Sequence, residues 1–261
     1  MKTFESHFNL LKEKLLNNEN FAFLRFSDGE LFVMQNKRLE LCENYFVIGN
    51  QLGTGQYNDE EQKRFVPEEN QNERNLLIES LKHKQKNFFK GICTRPDVDL
   101  ETFNWQLELA GGDDEHLTWS NLFINGNYER YINEILPIFK TKKIIMIVNE
   151  SAKIENLNFN IIKDFRVGTN CFINDLKIID IIFDYIKENN ISDCVFLISA
   201  ASLSNLIIHK LYSNFPNNSY IDIGSTLNPI MGMEGWKGSR AYLREFWLNQ
   251  PKNHLNMICV W

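Results

Sequence analysis

No apolar run in this 261-residue chain approaches the ~20 residues that a helix needs to cross a bilayer. The opening stretch, MKTFESHFNL, also lacks the uninterrupted apolar core of a signal peptide. The expectation is a cytoplasmic protein without a transmembrane segment. Positive charge is not in excess: 28 Lys and Arg stand against 34 Asp and Glu, a net charge of −6. With no broad basic face for a phosphate backbone, no nucleic-acid partner is expected. The five cysteines (Cys42, Cys93, Cys171, Cys194, Cys259) are scattered, with no C-x-x-C and no His at zinc spacing. Cys93 and Cys194 fall inside apolar runs and read as buried thiols. Three glycine signatures are missing as well. Without G-x-G-x-x-G a dehydrogenase is disfavoured, without G-x-x-x-x-G-K-[ST] there is no P-loop, and without G-x-S-x-G a serine hydrolase is disfavoured.

What is present is ordinary for a folded chain: 43% hydrophobic and 24% charged residues, at a length that suits one α/β domain over 1–261. Twenty phenylalanines point to an aromatic core. Phe4, Phe8, Leu11 and Leu15 have helical spacing over 4–16, and FAFLRF (21–26) reads as a buried strand. GNQLGTGQ (49–56) reads as a loop, Pro67-Glu68-Glu69 as a helix start, 87–94 as a strand, 100–110 as a helix and GGDDEH (111–116) as a surface loop. Tyr128, Tyr131, Ile132, Ile135, Leu136 and Phe139 form a core stripe, with Asn125 and Asn127 just ahead of it. From Lys143 onward, strand KIIMIVNE (143–150), a helix over 174–187 capped by Asn174, strand DCVFLIS, a helix over 203–211 and a strand over 220–223 alternate. Short links between them imply parallel βαβ units, hence a Rossmann-like α/β fold with a mostly parallel sheet flanked by helices.

The stretch Phe21–Glu30, FAFLRFSDGE, organises the rest. Asp28 and Glu30 flank one glycine at the carboxyl end of a strand, where open α/β sheets bind ligands. Two readings stay open: the acids hold one hard divalent cation, or Asp28-Gly29 is a turn and Glu30 opens a helix. Arg25 adds a planar cation suited to phosphate. Further along, Ser199-Ala200-Ala201-Ser202 joins a strand to a helix whose free amides can meet an anion, or Ser202 simply caps that helix. Asp222, between two isoleucines, must be ion-paired or face a ligand. Arg240 is a candidate pyrophosphate clamp, Arg244 a surface charge, and Trp236 or Trp247 a stacking surface for sugar or base.

R-F-S-D-G-E after an aromatic strand resembles the R-F-G-D-G-E opening of the GT-D glycosyltransferases, with Ser27 where glycine is usual. I-S-A-A-S (198–202) is similar to that family's I-S-A-G-P, and Y-I-D-I-G-S (220–225) and the R-x-Y-L pattern at Arg240 match it further. The resemblance implies a metal-dependent enzyme that moves a sugar from a nucleotide-sugar, a UDP-sugar by preference, to a glycan acceptor in surface polysaccharide or glycoprotein glycan synthesis. Asp28 and Glu30 would hold Mn2+ or Mg2+, with Arg25, Ser199, Ser202 and Arg240 on the nucleotide. Asp222, then Glu150, then Glu234 are candidates for the general base. The aromatic carboxyl-terminal residues 257–261 leave two readings open, docking within the chain or onto the second subunit of a homo-oligomer. The alternatives are a nucleotide-binding regulatory module without transferase activity and a Rossmann-like metal-dependent phosphohydrolase.

Overall fold

The computed structural model describes residues 3–94 and 98–234. Its main sheet has seven strands in the order β7-β6-β1-β11-β10-β8-β9, every neighbouring pair parallel. These are β1 (Ala22–Phe26), β6 (Phe88–Ile92), β7 (Leu117–Trp119), β8 (Lys143–Asn149), β9 (Asn160–Val167), β10 (Val195–Ile198) and β11 (Ser219–Asp222). A second, antiparallel sheet is ordered β4-β3-β2-β5, from β2 (Leu39–Leu41), β3 (Tyr45–Ile48), β4 (Gln51–Thr54) and β5 (Lys63–Phe65).

Period-two alternation divides the main sheet between two cores. Ala22, Leu24 and Phe26 join Ile145, Ile147, Phe196 and Ile198 on one face; Phe21 and Phe23 join Met146, Val148, Leu197 and Ile221 on the other. Helices cover both faces, so the central strands are apolar throughout. The first face carries α2 (Asp28–Met34), α3 (Gln71–Lys82), α4 (Leu100–Leu109), α7 (Cys171–Asn174), α8 (Ile178–Glu188) and α9 (Leu203–Asn214). The second carries α1 (Phe4–Leu16) and a helical stretch made of α5 (Tyr128–Arg130), a π-helical turn (Tyr131–Ile135) and α6 (Leu136–Phe139). Thr3 caps α1 by accepting the Ser6 N–H at 3.2 Å. Phe123 packs edge-on to Phe23 at 5.0 Å and lies 5.5 Å from Tyr131, the aromatic core expected from composition. Cys93 and Cys194 are buried, and no helix among the described residues is long and apolar enough to cross a membrane.

Several local expectations need correcting. Residues 49–56 are not simply a loop: Gly49, at φ +59°, turns the chain between β3 and β4. Strands of three or four residues, half exposed, leave too little alternation to read. β9 was not expected either, because it is an edge strand with an irregular register at Ile144/Ile145 that disrupts its apolar pattern. The helix after Pro67 begins at Gln71, and the 174–187 helix is two helices, Asn174 ending the first rather than capping the second.

A buried lysine fastens the first face. Lys90, in β6, donates from Nζ to the carbonyls of Leu81 (2.8 Å) and Ala110 (3.3 Å), at the carboxyl ends of α3 and α4, where the helix dipoles favour a cation. Beside it, Gly91 lies where an added Cβ would meet Trp119 O at 2.8 Å and Ser120 Cα at 2.9 Å. Because those neighbours are backbone, Gly91→Ala is expected to cost about 2 kcal/mol by overpacking. Urea denaturation measures it, and an unchanged midpoint would contradict this β6–β7 packing.

Candidate functional site

β8 and β10 are neighbours, yet their onward connections lead in opposite directions, to β9 and to β11. Such a reversal opens a crevice beyond the carboxyl ends of parallel strands. A cleft of about 490 Å³ occupies that position, walled on one side by the turns after β1, β10 and β11 and on the other by Tyr57, the segment 60–62 and the small sheet's β5.

Arg25, Asp28, Glu30, Ser199, Ser202 and Asp222 all line this cleft. Glu150 is not among the lining residues; it is exposed, and its N–H bonds Val167 O, while Asn149 beside it faces the cleft. Glu234 is exposed at the edge of the described residues, its N–H on Glu60 Oε1 at 2.8 Å. Asn125 is buried and lies outside the cleft, as does Asn127. Arg240, Arg244, Trp236, Trp247 and residues 257–261 fall outside the described residues.

At the end of β1 the guanidinium of Arg25 is buried, 9% exposed, and neither Nε nor Nη1 has a hydrogen-bond partner among the described residues. It fits only because residue 224 is glycine: a Cβ there would lie 2.3 Å from Arg25 Nη1, and φ at Gly224 is +47°. Asp222 accepts the Gly224 N–H at 2.8 Å. Burial pushes its pKa up from 3.8 to about 6, against the downward pull of the Arg25 charge and that hydrogen bond. Arg25 is further fixed through its carbonyl, which takes a 3.0 Å hydrogen bond from Asn205 of α9.

The Asp28 and Glu30 carboxylates stand in the first turn of α2, which begins at Asp28, so Asp28-Gly29 is the start of the helix and not a separate turn before it. Asp28 is exposed at the cleft mouth and makes no hydrogen bond or ion pair among the described residues. Glu30 is buried and accepts from the Ser27 N–H (3.0 Å), the Ser27 hydroxyl (3.1 Å) and the Ser202 hydroxyl (2.6 Å). No set of three or more His, Cys, Asp or Glu able to hold a metal occurs among the described residues. Small hard cations are commonly held by one or two carboxylates together with substrate phosphates. The Asp28 carboxylate, facing a cleft that also holds an arginine with two donors unmatched among the described residues, fits a cation that arrives with phosphate.

Ser202 does not cap α9 with its side chain; it donates to Glu30 instead. In the turn it ends, the Ser199 N–H is taken by Ile147 O and the Ala200 N–H by Ser204 Oγ, while the amides of Ala201 and Ser202 have no partner among the described residues. Ala201 adopts φ +45°, a left-handed conformation that glycine takes without strain and that costs alanine roughly 1 kcal/mol. The sequence reading missed the facing wall, where Tyr57, Glu61 and Lys63 line the cleft; the acid-rich run N-D-E-E at 58–61 was the available signal.

Two outcomes follow from these geometries. Ala201→Gly should relieve the left-handed strain and stabilise the protein by about 1 kcal/mol, read as a rise in Tm of ~2 °C. For Asp222 the folded-state pKa lies above the unfolded value, so the native state binds the proton more tightly and ionisation costs stability as pH rises through about 6. Wild type should therefore gain stability relative to Asp222→Asn as pH falls from about 6 toward 3.8, in denaturation series across that window. A pH-independent difference would contradict the burial of this carboxylate.

No protein-family model matches the sequence, and no curated protein matches it. Two solved structures do match in three dimensions, each with a TM-score of 0.52 and 12% identity over 87% of this chain and 79% of theirs. One is the selenomethionine-substituted structure of domain of unknown function 1792; the other is described as showing that this highly conserved domain has a distinct glycosyltransferase fold. The likeness is one of fold: this chain has the fold of domain of unknown function 1792.

Proposed function

We propose that the chain is a metal-dependent glycosyltransferase that moves a sugar from a nucleotide-sugar donor, a UDP-sugar by preference, to a glycan acceptor. The observation that carries this reading is the buried Arg25 guanidinium, with two donors unpartnered among the described residues, in a cleft at the carboxyl edge of a sheet whose fold is shared with a domain described as having a distinct glycosyltransferase fold. In such a transfer the acceptor oxygen bonds to the anomeric carbon as that carbon's bond to the diphosphate oxygen breaks, and the hydroxyl proton passes to a base. Negative charge then grows on the departing diphosphate. Arg25 meets that charge as a fixed cation, and the amides of Ala201 and Ser202 add dipoles that need no reorganisation. Asp222, with a pKa near 6, is ionised at neutral pH and basic enough to take the proton. A divalent cation at the Asp28–Glu30 turn supplies Lewis-acid neutralisation of the diphosphate when bound. Lysine and arginine on the facing wall contribute less: Arg64 is held by both carboxylate oxygens of Glu69, at 2.7 and 3.0 Å.

A thermal-shift screen of nucleoside diphosphates with and without Mn2+ tests the reading. UDP at about 100 times its dissociation constant should stabilise by ~2.7 kcal/mol, a rise of ~5–10 °C in Tm, only when the metal is present. Asp28→Ala should abolish both the metal-dependent shift and donor turnover. Phosphate release without any need for an acceptor would favour a phosphohydrolase, and turnover unchanged in Asp28→Ala would end the assignment.

A further inference from the structure

Asp28 and Glu30 have different surroundings although one residue separates them. Residues two apart on a helix point about 200° away from each other, so a D-x-E string in a first turn does not by itself aim both carboxylates at one point. Glu30 turns back into the protein: Oε2 takes the Ser27 N–H and hydroxyl, and Oε1 takes the Ser202 hydroxyl at 2.6 Å, a short charge-assisted bond. That bond joins the turn after β1 to the turn after β10, two walls of the cleft that lie 172 residues apart in the chain. Asp28 remains exposed and uncommitted at the mouth.

Resting on the glycosyltransferase reading, we propose that the two acids divide the work: Asp28 meets the cation directly, and Glu30 is a positioning residue that, with Ser27 and Ser202, fixes the lip on which Asp28 stands. One consequence concerns the order of binding. With a single protein carboxylate, and no three-membered ligand set among the described residues, the cation draws its other ligands from the diphosphate and water, so metal and nucleotide bind as a unit.

Calorimetry of Mn2+ binding to the full chain, with and without UDP, separates the roles without any activity measurement. Wild type should bind Mn2+ at least about tenfold more tightly when UDP is present. Asp28→Asn should weaken Mn2+ in the UDP complex by about tenfold or more while leaving the Tm of the metal-free protein unchanged. Glu30→Gln keeps an oxygen for the Ser27 N–H and an amide facing Ser202, and should stay within about threefold of wild type. Ser202→Ala should weaken Mn2+ about tenfold and Ser202→Thr should restore it, a rescue that a merely structural hydroxyl would not give in metal affinity. A loss in Glu30→Gln equal to that in Asp28→Asn makes Glu30 a direct ligand and overturns the division. An unchanged affinity in Ser202→Ala overturns the positioning role. If wild type binds Mn2+ with UDP, only the division is at stake in those results; if it binds no nucleoside diphosphate with any divalent metal, the transferase reading falls and the division falls with it.

Discussion

A guanidinium held out of water, with Nε and Nη1 unmatched, is the constraint around which the carboxyl edge of the sheet is arranged. Desolvating a charge is costly, and a protein retains it where a neighbour or a ligand compensates. Here the neighbour is Asp222, whose own ionisation is made harder by burial and easier by Arg25. Gly224 leaves the room, and Asn205 of α9 holds the Arg25 backbone in place. Each of these residues is explained by the arginine, whose unmatched donors are the ground for the anionic ligand proposed above.

The second organising element is the pair of turns that follow β1 and β10. Glu30 and Ser202 join them directly, and the Asn205 bond to the end of β1 lies one helical turn further along α9. This cross-linking gives rigid support to a site built on turns, where a constellation of side chains is otherwise hard to hold in register. The small sheet closes the other side: the Arg64 N–H bonds Asn170 Oδ1 and the Thr169 hydroxyl bonds Asp59 O, so the wall at 57–65 is tied to the loop after β9.

How much of this could be read from residues alone varies along the chain for physical reasons. Strands β8, β10 and β11 are buried on both faces and appear as near-continuous apolar runs, so the parallel half was legible. Strands β2 to β5 were not, because three or four residues are too few to alternate visibly, and β3 and β4 have no buried residue. Arg25, Asp28, Glu30, Ser199, Ser202 and Asp222 could be nominated because strand ends converge on one edge of a parallel sheet. Their division of labour could not, since it depends on helix phase at Asp28 and Glu30 and on a hydroxyl far away in sequence at Ser202. The same holds for Ala201: a positive φ on alanine leaves no mark in the sequence.

Lys90 sits on the first face of the sheet, grasping the ends of α3 and α4 below β6. Burial has already lowered its pKa to about 8, and pulling either helix away would strand that ammonium among apolar neighbours. The base of this layer is therefore a bolted joint.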